Sequence, residues 1–273
     1  MFVGLLIEMP KIQLDQVLLK TWGAKWLGAV ASEVNPKNKG AVAPAPKAKK
    51  PNRFDKKQGM DFGLVFDVAF GNALATMLGN KVASPINNSL LPPAPDVVEV
   101  GKARIVGGIR PQNYDAAYRP DGPRLVYDSK TLNDAGSIRK NWQNMINDLA
   151  TEASTVHTRF PYCIVVFVIA LPRPALLWPQ EQALIRTLDR LGSREDELDQ
   201  HHLAESISLV IWNPEDGSID MKSPPPDSRL RLETMNDRIY QAYIDRYRNL
   251  PPHEIEEAVD VDSEPAADGS GIV

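Results

Sequence analysis

The run Tyr162 to Leu171, Tyr-Cys-Ile-Val-Val-Phe-Val-Ile-Ala-Leu, constrains the fold more than any other stretch. It is apolar without alternation and rich in β-branched residues, which predicts a strand buried on both faces. Such a strand needs a layer of structure above and below its sheet. Pro172 and Pro174 stop it. Ile207 to Trp212 repeats the pattern, closed by Asn213-Pro214 and an Asp216-Gly217 turn, with Ser218 to Met221 as a short returning arm. Helical periodicity lies between and around these runs. Asp61 to Leu78, capped by Asp61, carries Phe62, Phe66, Phe70 and Leu74 on one wide apolar face. Ile138 to Thr155 carries Ile138, Trp142, Met145, Leu149 and Ala153. Pro179 to Leu191 and Ser228 to Leu250 read as two further helices. Val97 to Ile109 reads as a strand bent near Gly101, after a proline-rich loop from Val82 to Pro95. The order predicts an α/β fold, a mixed central sheet with an antiparallel hairpin flanked by helices.

The chain has 273 residues, 43% of them hydrophobic and 24% charged, enough for a sizeable core. The main α/β domain is expected over residues 54–250. Residues 1–34 form an N-terminal helical segment, with Val17 to Val30 its helix and Trp22 and Trp26 available for packing. Residues 35–53, rich in Lys, Ala and Pro, read as a linker or a basic arm. Residues 251–273 read as an acidic, disordered tail. The net charge of -4 gives no general basic character, although the acids cluster in the tail and leave the folded part closer to neutral. Cys163 is the single cysteine, which excludes an intrachain disulfide and a multi-thiolate metal site. It reads as a buried strand thiol in a reducing, cytoplasmic setting. No apolar run reads as a membrane span and the first residues lack a basic leader, so no membrane association is expected. His201 and His202 are adjacent and read as surface residues rather than a metal pair.

Between the two halves lies Asn113 to Lys130, two short β-prone arms, Tyr114 to Tyr118 and Arg124 to Lys130, joined by Pro-Asp-Gly. With a two-residue loop at Asp121-Gly122, Ala117 faces Val126 and Asp115 faces Asp128, with opposed Cβ atoms roughly 5 Å apart. Lys130 shares that face. A three-residue turn with a glycine bulge would instead set Asp115 opposite Tyr127. Two opposed carboxylates repel unless compensated, and a divalent cation is the natural compensator. Carboxylate oxygens with an open, hydrated shell suit Mg²⁺. A nearby lysine can position a water or balance a phosphate charge, so the set is coherent for metal-assisted phosphodiester cleavage.

Asp115 followed by Asp128-x-Lys130 on the next antiparallel strand resembles the PD-(D/E)xK nuclease superfamily, which includes many type II restriction endonucleases. Tyr114 stands where that family often has proline; the literal Pro120-Asp121 lies inside the turn. The resemblance covers roughly Asp61 to Leu171 and implies a restriction endonuclease-like fold over residues 54–250. It implies Asp115, Asp128 and the Ser129 carbonyl as Mg²⁺ ligands, Lys130 as the residue that orients or activates water, and a homodimer cutting double-stranded DNA. In that family a preceding helix can supply an extra acid. Asp67 is the candidate, with Glu99 a second, and both also fit ordinary surface positions. The helix after the motif borders the cleft there, which makes Arg139, Lys140, Asn141 and Gln143 candidate DNA contacts; the same residues suit a solvated helix face. A repair or defence-effector nuclease, or a non-catalytic α/β binding module, remains open beside restriction.

Overall fold

In the computed structural model, which describes residues 6–28, 50–136, 138–176, 179–248 and 250–253, the apolar run becomes a strand, Ile164–Pro172, with all nine side chains buried. In chain order the elements are α1 (Gln16–Leu27), α2 (Lys56–Met77), β1 (Lys81–Ala83), β2 (Val97–Val106), β3 (Pro111–Tyr118), β4 (Leu125–Thr131), α3 (Ile138–His157), β5 (Ile164–Pro172), α4 (Gln180–Leu191), β6 (Ser206–Trp212) and α5 (Met235–Tyr247). The six strands form one mixed sheet in sequence order. β1 is parallel to β2, β2–β3–β4 run antiparallel, and β4, β5 and β6 are parallel. Alternation along the strands separates two cores. Val166, Val168, Tyr127, Ala116 and Trp212 pack with α1, α2 and α5. Val165, Phe167, Ile169, Val126 and Ala117 pack with α3 and α4. The α/β class and the flanked mixed sheet are as expected from the sequence.

Several boundaries differ, each for a local reason. α2 starts at Lys56 rather than at Asp61, because Asp55 and Gln58 form a reciprocal capping box. Asp61 instead pairs with Lys57 one turn back, at 2.6 Å. By length and composition α2 could cross a membrane, contrary to the expectation that no stretch could; 56% of its most apolar window is buried inside the domain. β1, missed in the proline-rich loop, is only three residues long. The expected bend in β2 is a register shift between Val100 and Ala103, with Gly101 at φ +128°. The helix expected from Ser228 starts at Met235. Upstream, the Leu230 carbonyl accepts from Leu209 N and Ser208 Oγ of β6, and Arg231 donates to the Asp220 and Pro224 carbonyls. Those bonds hold residues 230–231 beside the sheet, out of a helix.

The N-terminal segment is part of the core. α1 is capped by Asp15, whose carboxylate accepts from the Val17 and Leu18 amides, and ends at Gly28, φ +87°. Trp22 stands edge-on to Phe54 and Phe62, and Phe62 meets Trp212 of β6 at 4.9 Å. Trp26 is fully buried and donates Nε1–H to the Asn133 carbonyl at 2.6 Å. Gly23 allows the close approach: a Cβ there would lie 1.8 Å from the Pro214 carbonyl oxygen. Cys163 is buried, as expected, and burial pushes its thiol up. Most of the anticipated linker or basic arm and of the acidic tail lies outside the described residues.

Candidate active site

The hairpin pairs Tyr118 with Leu125, Ala117 with Val126 and Ala116 with Tyr127. This is the register that sets Asp115 level with Asp128; the alternative, Asp115 opposite Tyr127, does not occur. The loop is longer than two residues. Pairing closes at Tyr118 and Leu125, and residues 119–124 connect the arms, because both arginines at the turn are claimed elsewhere. Arg119 is buried on Glu99, and Arg124 bonds Asp121 and the Pro251 carbonyl.

Paired residues stop at Ala116, and the acids begin there. Asp115 Oδ2 accepts from the Ser129 amide at 3.1 Å and lies 3.4 Å from Ser129 Oγ. The side chain thus takes the Ser129 backbone donor, which a continued ladder would have used, and the strands part around it. Asp128, 6% exposed, stands level with Asp115 in the continued register, near enough for the two carboxyls to act on each other. Burial, then Asp115, push the Asp128 carboxyl well up, and Lys130 pulls it only partly back. The Lys130 ammonium lies 2.5 Å from Asp128 Oδ2 and 2.9 Å from Glu152 Oε1 of α3. Burial alone would lower its pKa; the two carboxylates outweigh burial and raise it.

Glu152 carried no signal in the sequence. It lies beside the apolar stripe of α3 between Leu149 and Ala153 and is 4% exposed. Its backbone carbonyl accepts from the Tyr114 hydroxyl at 2.9 Å, and Oε1 also accepts from Gln112 at 3.2 Å. Tyr114, the departure from the family pattern, thus fastens α3 to β3. Oε2 of Glu152 is buried without a hydrogen-bond partner.

Asp67 reaches the same place from the other layer. Gly63, Asp67 and Gly71 share one face of α2. A Cβ on Gly71 would stand 2.2 Å from Val100 Cγ2, and one on Gly63 would stand 3.4 Å from Ser129 Oγ, so this face lies close on the sheet. Asp67 is 7% exposed, and its carboxyl is pushed up to about 7, by burial first and by the charge of Asp115 second. The nearby Ser129 and Tyr127 hydroxyls pull the other way, yet Asp67 Oδ1 and Tyr127 Oη have no well-formed hydrogen bond. Because the folded pKa exceeds the unfolded value of 3.8, the folded state binds the extra proton between the two. Asp67 therefore contributes a loss of stability in the metal-free protein as pH rises from about 4 to about 7. Asp67→Asn should remove that contribution to the slope and stabilise the protein at pH 8 by on the order of 2 kcal/mol. Urea titrations of both proteins at pH 5 and pH 8 measure it, and equal slopes would exclude a strained carboxyl at Asp67.

Glu99 does not belong to this group. It is fully buried, and Arg119 holds both its oxygens, Nε to Oε2 at 2.5 Å and NH2 to Oε1 at 2.8 Å. It is a structural ion pair, and its candidacy as a metal ligand is withdrawn. An open cleft of about 340 Å³ lies over Ser129, Lys130 and Thr131, bordered by Asn141, Asn144 and Asp148 of α3. Of the four candidate DNA contacts, Asn141 lines this cleft. Arg139, Lys140 and Gln143 are exposed on α3 outside its lining. His201 and His202 are exposed, as expected.

No family model, curated protein or solved structure matches this chain. The site is therefore argued from its geometry. Among the described residues, no three His, Cys, Asp or Glu side chains form a ready cage for a metal ion. The candidate donor set is Asp115, Asp128 and the Ser129 carbonyl, with Asp67 of α2 beside Asp115 and Ser129, and such a set suits an ion that keeps several waters. Asp115, Asp128 and Glu152, with Asp67 beside them, gather four carboxyls around the single ammonium of Lys130, an excess of acid that fits a divalent cation.

Proposed function

We propose that this chain is a Mg²⁺-dependent DNA endonuclease with a restriction endonuclease-like fold, of the type II restriction class, acting in the cytoplasm as a homodimer on double-stranded DNA. The observation that carries the reading is the meeting of Asp115, Asp128 and Lys130 at the point where β3 and β4 part. Asp115 and Asp128, with the Ser129 carbonyl, would hold the cation. Mg²⁺ bound there supplies charge neutralisation at the scissile phosphate and a more acidic water. Lys130, held by Asp128 and Glu152, would orient or activate the attacking water or balance a phosphate oxygen. Glu152 and Tyr114 position Lys130 by fixing the ammonium and α3 respectively. Asn141 borders the cleft on the side where a DNA backbone would approach, with Arg139, Lys140 and Gln143 further out on the same helix.

A second reading has its own support. Lys130 already has two carboxylate partners, the arrangement of a purely structural ion cluster. One experiment separates the readings: purified protein with a mixed, unmethylated DNA library and Mg²⁺, beside Lys130→Ala and an EDTA control. Discrete double-strand fragments without accumulating nicked circles, absent from both controls, are expected for a dimeric restriction enzyme. Diffuse metal-dependent degradation points to a repair or defence-effector nuclease of the same fold. No cleavage with Mg²⁺ or Mn²⁺, or cleavage unchanged in Lys130→Ala, would leave the structural cluster.

A further inference from the structure

A second cleft lies at the N-terminal ends of β5 and β6, lined by Arg194, Glu195, Glu205, Arg229, Arg238 and Asp245, with a volume of about 420 Å³. It shares no lining residue with the candidate active site. Arg194, Arg229 and Arg238 line it together with the carboxylates Glu195, Glu205 and Asp245, and Arg246 reaches Glu205 from outside the lining. Glu205, 3% exposed, accepts from Arg246 at 2.7 Å, from Arg194 at 3.5 Å and from the Val165 amide at 2.7 Å, and stands 3.4 Å from His157 Nε2. Its lone pairs are spent.

The arginines retain donors that nothing accepts. Arg194, 1% exposed, donates through NH2 to the Pro161 and Glu197 carbonyls, and its Nε has no partner. Arg238 donates NH2 to the Gly192 carbonyl at 2.8 Å, and its NH1 is buried without a partner. Arg246, behind Glu205, has the same orphan at NH2. Arg229 at the rim is held by Asp189 at 3.1 Å. Guanidinium groups can only donate, and each buried donor left unmade costs about 1–3 kcal/mol. Burial lowers the pKa of both Arg194 and Arg238; Glu205 and Asp199 oppose this at Arg194, and Glu195, Asp189 and Glu205 at Arg238, while the neighbouring Arg246 and Arg229 respectively add to it. An acceptor that also carries negative charge answers both deficits, and planar guanidinium forks match the oxygens of a phosphate.

We infer that this cleft is an oxyanion site that takes a phosphate group, separate from the proposed nuclease centre. The chemistry is common to inorganic phosphate and to the phosphate of a nucleotide, and the volume admits either.

The test is a thermal-shift and calorimetric titration of the full chain with inorganic phosphate and, separately, with adenosine 5′-monophosphate, at ionic strength matched by chloride. A saturable rise in Tm above the chloride control is expected. The affinity should fall about tenfold or more in Arg238→Met, the loss of one charge-assisted contact, and stay unchanged in Lys130→Ala. Arg229→Met, at the more exposed rim, serves the same purpose should Arg238→Met fail to fold. Saturation by inorganic phosphate identifies the free ion; saturation by the nucleotide alone identifies a nucleoside phosphate. No response above chloride, or a response lost in Lys130→Ala and kept in both arginine variants, overturns the site, and neither result bears on DNA cleavage.

Discussion

Asp128→Asn is expected to lower Mg²⁺-dependent DNA cleavage by roughly a thousandfold or more while leaving the urea midpoint unchanged or slightly higher. The asparagine keeps the shape, removes one of two anionic donors and takes away the partner that holds Lys130 at 2.5 Å. Stability is not sacrificed, because the Asp128 carboxyl is itself destabilised by burial and by Asp115. Burial and crowding favour the protonated Asp128 carboxyl, which must lose its proton before a cation enters, so the Mg²⁺ requirement should fall as pH rises. Single-turnover cleavage at several Mg²⁺ concentrations measures both effects. Activity within tenfold of wild type would remove Asp128 from the chemistry.

The largest expected effect on stability is at Arg119. Arg119→Met should cost about 3–5 kcal/mol, because it strands Glu99 as a buried, unpaired charge. It also removes donors to the Leu90, Leu91 and Arg104 carbonyls, which tie the proline-rich loop to β2 and to the hairpin turn. The double variant Glu99→Leu, Arg119→Met should recover much of the loss, since the ion pair then gives way to apolar neighbours. Urea unfolding of the wild type, single and double variants closes the comparison. A single variant that loses under about 1 kcal/mol would mean that water reaches Glu99 and that the pair is not the anchor of the turn.

The legible parts of this chain were those set by short-range pattern. β5 and β6 announced themselves by unbroken apolar runs, and the sheet layers followed. The register of β3 on β4 was legible only as two alternatives set by the turn, because Ala116 and Tyr127 on one face are as buried as Ala117 and Val126 on the other and burial does not choose between them. Asp67 stood out as the only charge within an apolar helix face. The length of the hairpin loop was not readable, because Arg119 and Arg124 take partners distant in sequence, Glu99 and Pro251. Glu152 escaped for the same reason. Its partner Lys130 is 22 residues away, and a glutamate beside a helical stripe looks like any solvated one. Glu99 misled in the opposite direction, since an acid in a strand near the motif gives no sign that an arginine already holds it.

The strands of this sheet lie side by side in the order in which they leave the ribosome. Each new strand from β2 onward can dock on an edge already present, so most of the sheet forms through near neighbours in sequence and incurs little loop-closure cost. The aromatic cluster breaks that pattern. Trp22, Phe54 and Phe62 are made early, yet their partner Trp212 is the last residue of the last strand. Until β6 arrives, a nascent chain carries an uncovered aromatic patch on its first two helices. Synthesis that stalls between β5 and β6 should therefore produce a species prone to chaperone capture, and the final strand converts a growing sheet into a cooperative unit.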